Sequence, residues 1–265
     1  MAADGGVLAR IGARTAERIA REKHDHPVGA LREHRLYARL PRSLTRALCA
    51  PAPCVIAEIK FASPSEGVLR PDATVREAAR IAGAYAKAGA AAISVLTEPE
   101  FFGGSTAFLA AARDAEPGAC LLMKDFFVDP YQFEAARACG ADAILLIAAL
   151  LGPRLPEMAE AARALGLSAL VEVHDESEAE AALAIGADAI GVNSRDLRTL
   201  KTDLDVARRL APRARRGAVA VAESGLRSRA EIDELSLLGY KGFLIGTTFM
   251  KSDDPGAALK ALLNP

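Results

Sequence analysis

The sequence predicts a closed parallel barrel of eight strands, with helices on its outside and extra helices before it. Eight short apolar runs alternate strictly with eight amphipathic segments, and such alternation is typical of parallel α/β folds, with eight units favouring closure. A glycine-led pattern recurs along the chain, and a length of 265 residues suits one barrel of about 250 residues. We therefore expect an α/β protein with a single (βα)8 TIM barrel, residues 55–265, after an N-terminal helical extension, residues 1–54.

The N-terminal segment is predicted to be helical. Residues 6–22 form one expected helix and residues 31–50 one or two more, with a polar, proline-containing break at residues 24–27. Residues 1–21 carry charges throughout and include no long apolar run. We therefore expect neither a signal peptide nor a membrane-spanning helix there.

The eight strand-helix units of the barrel follow in order. The expected strands are residues 55–60, 91–96, 119–123, 142–147, 168–173, 188–192, 218–222 and 242–245. The expected helices are residues 74–88, 105–115, 130–139, 154–165, 176–185, 203–211, 229–238 and 255–263.

An internal repeat supports this count. The pattern Gly-Ala-Xaa-Ala-Ile stands at residues 89–93, 140–144 and 186–190, before the second, fourth and sixth strands, and a degenerate copy at residues 239–243 precedes the eighth. Each glycine falls where a helix is expected to end, a position that favours a residue in the left-handed conformation. We interpret these glycines as structural.

The composition excludes several kinds of partner. The formal net charge is −1 and there is no basic stripe, so we expect neither nucleic acid nor an anionic membrane as a partner. The four cysteines form no Cys-x-x-Cys pair, which favours free thiols in a reducing cytoplasm and indicates no metal site. We expect a cytoplasmic monomer or weak homodimer that acts on a small molecule.

The first strand carries two opposite charges. Glu58 and Lys60 are two residues apart, so in a strand they share one face with Ile56 and enter the barrel interior. Buried charges are costly unless they are paired or used. A structural ion pair and a catalytic pair are both consistent with this spacing.

Polar residues close most of the expected strands, where catalytic groups of this fold lie. The chain has eight lysines against twenty-five arginines, yet Lys60 and Lys124 both close strands. Burial can lower the proton affinity of lysine, which suits an acid or base better than arginine does. The polar residues at the strand ends are Glu58, Lys60, Lys124, Asp125, Glu172, His174, Asn193, Arg195, Glu223, Ser224, Gly225, Gly246 and Thr247.

The last two strand ends predict a phosphate site. Ser224-Gly225 and Gly246-Thr247-Thr248 offer backbone N–H groups and hydroxyls just before a helical turn. Barrels of this kind bind phosphate monoesters at this place. A phosphorylated small-molecule substrate follows, although either glycine alone is also consistent with an ordinary tight turn.

Seven short runs follow one another at the strand ends. They are Ile56-Ala-Glu-Ile-Lys60 with Ser63-Pro-Ser65, Ser94-Val-Leu-Thr97 with Phe102-Gly-Gly-Ser105, Lys124-Asp-Phe126, Leu145-Leu-Ile147, Leu170-Val-Glu-Val-His174, Gly191-Val-Asn-Ser-Arg-Asp-Leu197 and Glu223-Ser-Gly225. In this order, over about residues 50–265, they resemble the indole-3-glycerol phosphate synthase family of tryptophan biosynthesis. That family also carries extra helices before its barrel.

The resemblance implies a carbon-carbon lyase that needs no cofactor. Its reaction is ring closure, decarboxylation and dehydration of 1-(2-carboxyphenylamino)-1-deoxyribulose 5-phosphate, which yields indole-3-glycerol phosphate, carbon dioxide and water. An ammonium such as Lys124 polarises the substrate carbonyl, and Glu172 acts with Glu58 in the dehydration. The catalytic residues implied by the resemblance are Glu58, Lys60, Lys124, Glu172, Asn193 and Glu223.

The resemblance also implies the groups that bind the substrate. The implied substrate-binding residues are Ser63, Leu96, Phe102, Phe126, Leu145, Arg195 and Leu197, and the implied phosphate-binding residues are Ser224, Gly225, Gly246 and Thr247. The apolar members are also consistent with plain core positions. His174 matches the pattern without an evident role, and we interpret it as structural.

Two other functions are consistent with a phosphate-binding barrel. A phosphoribosylanthranilate isomerase would use a cysteine and an aspartate at strand ends, but no cysteine closes a strand here. A non-catalytic barrel that binds a phosphorylated metabolite would be expected to lack at least one of the lysines and glutamates that close the strands. All of them are present.

Overall fold

The computed structural model describes residues 6–50, 53–196 and 199–264, and it confirms the closed parallel barrel. The strands are β1 (Cys54–Ile59), β2 (Ala62–Ser63), β3 (Gly67–Val68), β4 (Ala92–Leu96), β5 (Leu121–Lys124), β6 (Ala143–Ile147), β7 (Ser168–Val173), β8 (Ala189–Asn193), β9 (Val219–Glu223) and β10 (Gly242–Ile245). β2 and β3 form a small antiparallel hairpin in the first loop. The other eight strands are parallel and close in chain order, with β10 pairing β1.

Helices surround the barrel and precede it. They are α1 (Val7–Asp25), α2 (Val28–Arg32), α3 (Leu44–Ala47), α4 (Val75–Ala88), α5 (Pro99–Phe102), α6 (Thr106–Ala115), α7 (Tyr131–Ala138), α8 (Ala148–Leu151), α9 (Leu155–Ala164), α10 (Glu176–Ala184), α11 (Asp205–Ala214), α12 (Arg229–Leu237), α13 (Thr247–Met250) and α14 (Pro255–Leu263). No helix within the described ranges is long and apolar enough to cross a membrane.

The four repeat glycines end helices, as predicted. Gly89, Gly140, Gly186 and Gly239 have φ angles of 96°, 83°, 66° and 105°. This left-handed conformation is open to glycine and disfavoured for residues with a Cβ. Each glycine turns the chain from a helix into the next buried strand.

Three strands end one residue later than predicted. Lys124, Asn193 and Glu223 are the last residues of β5, β8 and β9 rather than the first residues of loops. Inside a strand, successive side chains point to opposite faces of the sheet. Each of these three side chains therefore enters the barrel from a fixed backbone position. Hydrogen bonding of the sheet therefore positions these polar groups.

The apolar core has two layers. One layer fills the space between the strands and the outer helices, and the other fills the inside of the barrel. The helix α3 closes the amino end of the inner layer: the backbone N–H of Leu44 donates to Ser168 Oγ at 3.1 Å, and Leu48 packs against Gly242. The opposite, carboxyl end of the barrel stays open.

The prediction of helix over residues 31–50 is wrong in most of that range. α2 begins at Val28, directly after Pro27, and α3 covers only Leu44–Ala47. Pro41 has no N–H group to donate within a helix, and the N–H group of Arg42 donates to the Asp142 side chain at 2.7 Å. A contact with a residue distant in sequence therefore replaces the expected helix.

Asp142 connects this segment to the barrel. It is fully buried before β6, and its Oδ1 accepts from Arg39 and from the backbone of Arg42. Its Oδ2 accepts from Arg113 and from the backbone N–H of Leu121, at 2.8 Å. A carboxylate that accepts four hydrogen bonds offsets the burial of two guanidinium groups.

Replacing Asp142 is expected to destabilise the whole fold. Asp142→Asn leaves Arg39 and Arg113 without their carboxylate, and breaking a buried pair in this way costs about 3 kcal/mol or more. Urea unfolding followed by circular dichroism measures the loss. The control is Asp114→Asn, which removes the exposed pair with Arg35 and should cost under about 1 kcal/mol. Equal losses in both variants would show that Asp142 has no special role.

Candidate active site

A cavity of about 420 Å³ opens at the carboxyl ends of the barrel strands. Of the predicted site residues, all but one line it. The predicted residues that line the cavity are Glu58, Lys60, Ser63, Leu96, Phe102, Lys124, Phe126, Leu145, Glu172, Asn193, Arg195, Glu223, Ser224, Gly225, Gly246 and Thr247. Leu197 lies outside the described residues.

Lys124 lies at the centre of the charged part of the cavity. Its Nζ is 2.9 Å from Glu223 Oε2 and 3.3 Å from Glu172 Oε2. Burial alone would lower the pKa of Lys124, but the charges of Glu223 and Glu172 outweigh it and raise that pKa well above its usual value. Lys124 is therefore held as an ammonium, and its proton affinity is raised by these carboxylates rather than lowered by burial as expected.

Glu172 is held through both of its oxygens. Asn193 Nδ2 donates to Oε1 at 3.1 Å, while Lys124 donates to Oε2. Asn193 is itself fixed, because its Oδ1 accepts from the backbone N–H of Arg195 at 3.0 Å. Burial would raise the pKa of Glu172, but Lys124 and His174 outweigh it and lower that pKa below the usual range. Glu172 is an ionised carboxylate.

Glu223 has a different environment. Its Oε2 contacts Lys124, whereas its Oε1 is buried without a hydrogen-bond partner among the described residues. Burial, together with the nearby charge of Glu172, raises the pKa of Glu223 to about 7 despite the attraction of Lys124. This carboxyl group can exchange a proton near neutral pH.

Gly191 makes room for Glu223. A Cβ atom at position 191 would lie 1.9 Å from Glu223 Oε1, which is far inside any normal contact distance. Gly246 has the same relation to Glu58, with a Cβ distance of 2.4 Å to Oε1. Sequence reasoning gave Gly246 a role in phosphate binding and gave Gly191 none, because a missing side chain carries no signal about which neighbour needs the space.

Glu58 and Lys60 form the ion pair that their spacing predicts, with Lys60 Nζ 2.9 Å from Glu58 Oε1. Both line the cavity. Glu58 is the fifth residue of β1 and Lys60 is the first residue after it. A second ammonium-carboxylate pair thus stands at the rim of the same cavity as Lys124.

The end of the cavity near β9 and β10 has irregular backbone. Ser224 has a φ angle of 66° and Gly225 one of 82°, and a left-handed backbone is uncommon for a residue other than glycine. Gly246 precedes the short helix α13, which begins at Thr247. Strained backbone of this kind concentrates at functional sites.

The other end of the cavity is apolar, and part of it was not predicted. The rings of Phe102 and Phe126 are 5.8 Å apart. The lining residues of the whole cavity that sequence reasoning missed include Val7, Leu8, Ile11, Leu200, Thr202, Leu226, Arg227 and Leu244. The first three belong to α1, whose sequence has an amphipathic pattern but no motif that indicates a binding role.

A buried carboxylate holds α1 over the site. Asp125 follows Lys124 and accepts from Arg18 Nη2 at 3.0 Å and from Thr97 Oγ1 at 2.7 Å. It also accepts from the backbone N–H of Phe126 at 2.8 Å. The same short segment therefore fixes Lys124, the aromatic wall and the N-terminal helix.

Within the described ranges, no group of three or more His, Cys, Asp or Glu side chains could hold a metal ion. The polar side chains of the cavity are lysines, arginines, carboxylates, an amide and hydroxyls, beside an apolar wall. Such a set can donate a proton, accept a proton and bind an anion next to a flat apolar group.

Comparisons with known proteins agree with this chemistry. A sequence profile described as indole-3-glycerol phosphate synthase matches residues 8–262. The chain is 46% identical to an indole-3-glycerol phosphate synthase of Carboxydothermus hydrogenoformans over 256 residues, 93% of this chain and 96% of the relative. It is 43% identical to one from Burkholderia vietnamiensis, over 96% of this chain and 97% of the relative.

Solved structures support the fold. A 3-hexulose-6-phosphate synthase superposes with a TM-score of 0.64 at 18% identity, covering 79% of this chain and 98% of the other. A thiamine phosphate pyrophosphorylase from Pyrococcus furiosus superposes with a TM-score of 0.59 at 20% identity, covering 83% and 96%. At this level of identity the likeness concerns the barrel alone.

Gly191→Ala is expected to displace Glu223. The new methyl group would force Oε1 away and break the 2.9 Å contact between Glu223 and Lys124. A small misplacement of this kind can lower kcat by about a hundred-fold, and steady-state kinetics measure it. The control is Gly118→Ala, because no atom lies within 4 Å of a Cβ at that position. Normal kcat in Gly191→Ala would mean that the position of Glu223 does not matter for turnover.

Proposed function

The chain belongs to the indole-3-glycerol phosphate synthase family, and we propose that the charged cluster around Lys124 performs the chemistry of that family. The protein acts as a carboxy-lyase of tryptophan biosynthesis that forms indole-3-glycerol phosphate. The observation that supports the site assignment is a buried ammonium held between two carboxylates of opposite pKa behaviour, at the mouth of a barrel. The steps below assign these groups to the reaction.

Ring closure comes first. The aromatic carbon that bears the carboxylate attacks the C2 carbonyl of the substrate, and Lys124 donates its proton to the carbonyl oxygen as the new carbon-carbon bond forms. A charged donor in a buried site stabilises the developing oxyanion strongly, because little solvent is present to compete. Loss of carbon dioxide then restores the aromatic ring.

Dehydration completes the reaction. The new hydroxyl group leaves as water with a proton from one of the two ammonium groups of the site, Lys124 or Lys60, and Glu172 with Glu58 removes the proton that completes the pyrrole ring. Glu172 suits a base because it stays ionised. Lys60, paired with Glu58 at 2.9 Å, is the second ammonium of the site and binds the anionic groups of the substrate.

The remaining residues bind the two ends of the substrate. The phosphate lies against the backbone and hydroxyl groups at the ends of β9 and β10, where Ser224 and Gly225 have left-handed backbone. The aryl ring lies in the apolar end of the cavity beside Phe102 and Phe126. Asn193 and Arg195 orient the carboxylate network, as their mutual hydrogen bond supports.

The isomerase alternative is not favoured. It requires a cysteine at the carboxyl end of a strand, whereas Cys54 begins β1 and Cys120 directly precedes β5, both at the amino end. A barrel that only binds a metabolite would not need the burial of Lys124 with two carboxylates, which is costly.

We also propose the setting in which the protein works. All four cysteines are free thiols, which suits a reducing compartment such as the cytoplasm. The chain is proposed to act as a monomer or weak homodimer on a phosphorylated small molecule. Residues 1–54 are proposed as the N-terminal extension and residues 55–265 as the catalytic barrel.

Lys124→Met tests the acid. Removing the ammonium takes away both the proton and the charge, so kcat should fall by about two orders of magnitude or more. Lys124→Arg should restore little, because a guanidinium has a different shape and hardly gives up a proton. The exposed Lys241→Met is the control, and far-ultraviolet circular dichroism checks the fold of each variant. If Lys124→Met kept more than roughly a tenth of the normal kcat, the activation free energy would have risen by less than about 1.4 kcal/mol. Lys124 would then not be the acid.

Product fluorescence tests the function directly. The chain contains no tryptophan, so a growing indole emission stands out against the weak emission of the protein. Adding 1-(2-carboxyphenylamino)-1-deoxyribulose 5-phosphate should produce this signal together with carbon dioxide, without any added metal or cofactor. Phosphoribosylanthranilate should not be converted. Conversion of the second compound alone would identify an isomerase, and conversion of neither would indicate a binding protein.

A further inference from the structure

A histidine next to the proposed site has no part in the mechanism above. His174 follows β7 and lies behind Glu172, outside the described lining of the cavity. Its Nδ1 is 3.2 Å from Glu178 Oε2, while its buried Nε2 has no hydrogen-bond partner among the described residues and lies 3.4 Å from Glu172 Oε1 as a charge contact. The ring thus lies between a carboxylate of the site and a carboxylate of α10.

Glu178 fixes the ring from the outer side. Glu178 Oε2 also accepts the backbone N–H of His174 at 2.8 Å. Asp175 is the N-cap of α10, and its Oδ1 accepts the backbone N–H of Glu178 at 2.9 Å. Because only two residues separate β7 from α10, the end of the strand and the first turn of the helix meet, and residues 174 and 178 face each other.

The charges around His174 make it a cation. The titratable groups that face it are Glu172 on its own strand and Glu178 and Asp175 at the start of α10, with Lys124 and Glu223 beyond Glu172. Burial alone would lower the pKa of His174, but the nearby charges of Glu172 and Glu178 and the hydrogen bond to Glu178 outweigh it and raise that pKa to about 10. At neutral pH the ring therefore carries a proton on each nitrogen.

We propose that His174, fixed by Glu178, is a positioning residue that holds Glu172 in place and keeps it ionised opposite Lys124. Three groups then define the carboxylate of Glu172: Asn193 and His174 at Oε1, and Lys124 at Oε2. Without His174, Glu172 would be a buried carboxylate with one cation, and the Asn193 amide would be the only group at its Oε1 among these contacts. The inference rests on the proposed function of Glu172 as a base.

His174→Gln tests the proposal, because glutamine retains a hydrogen-bonding amide but no charge. We expect kcat to fall about ten-fold or more with KM changed less than about two-fold, since Glu172 loses orientation while the binding groups remain. The acidic limb of the pH profile of kcat should move to higher pH, because Glu172 loses a cation that favours its ionised form. Glu178→Gln should move the same limb in the same direction by less.

Two control variants separate positioning from folding. His24→Gln changes an exposed histidine of α1 and should leave kcat, KM and the pH profile unchanged. Thr74→Ala removes the uncharged N-cap of α4, whose hydroxyl accepts from the backbone N–H of Glu77 at 3.2 Å, and should lower Tm without moving the acidic limb. If Thr74→Ala moves the limb as far as His174→Gln does, or if His174→Gln leaves kcat and the limb unchanged, the proposal is wrong.

Nuclear magnetic resonance tests the charge of the ring without turnover. The chain has four histidines, and His24, His26 and His34 are exposed, so they serve as references in one spectrum. The ring of His174 should titrate well above all three in the wild-type protein, and Glu178→Gln should bring its midpoint down. Titration of His174 together with the exposed histidines would overturn the proposal even if the His174→Gln variant does not fold. Absence of indole product from the wild-type protein, in contrast, would overturn the proposed function and leave this titration standing.

Discussion

The ammonium of Lys124, buried between Glu172 and Glu223, is the interaction on which the charged part of the site depends. An isolated ammonium in this position would be strongly unfavourable, and without it the two carboxylates would repel each other. The three groups come from β5, β7 and β9, so they meet only when the barrel is closed and each strand keeps its register. The chemistry of the site is therefore inseparable from the pairing of the sheet.

The charged groups follow the geometry of barrel interiors. Glu58, Lys124, Glu172 and Glu223 lie on the first, third, fifth and seventh strands of the barrel, and alternate strands supply one layer of inward side chains. Two glycines on the strands between them leave space for these groups. A Cβ at Gly191 in β8 would meet Glu223, and a Cβ at Gly246, directly after β10, would meet Glu58, so these two carboxylates fit because their neighbours carry no side chain.

The sequence was sufficient for the barrel and for most of the cavity wall, because strand periodicity and the repeat glycines are local signals. It was insufficient where a contact with a residue distant in the sequence determines the local structure. Residues 31–50 have helical composition, yet Arg42 bonds to Asp142, one hundred positions away. Val7 and Ile11 line the cavity because α1 is held at Asp125, and no pattern within α1 indicates that contact. The ends of β5, β8 and β9 were placed too early because polar residues usually mark loops, whereas here they close strands.

The neighbouring residues also explain why the two carboxylates that contact Lys124 differ in pKa. Glu172 and Glu223 are the same side chain, both are buried, and both contact the same ammonium. Of these two carboxylates, Asn193 and His174 contact only Glu172. Glu223 Oε1 instead faces Gly191, which has no side chain that could donate a hydrogen bond. The pKa of Glu172 is lowered by its charged neighbours Lys124 and His174 against the effect of burial, while burial raises the pKa of Glu223 to about 7. Paired groups whose environments separate their proton affinities can take opposite parts in one reaction. In the mechanism proposed for this site Glu172 is the ionised base, and the pKa of Glu223 makes it the carboxyl group that can exchange a proton near neutral pH.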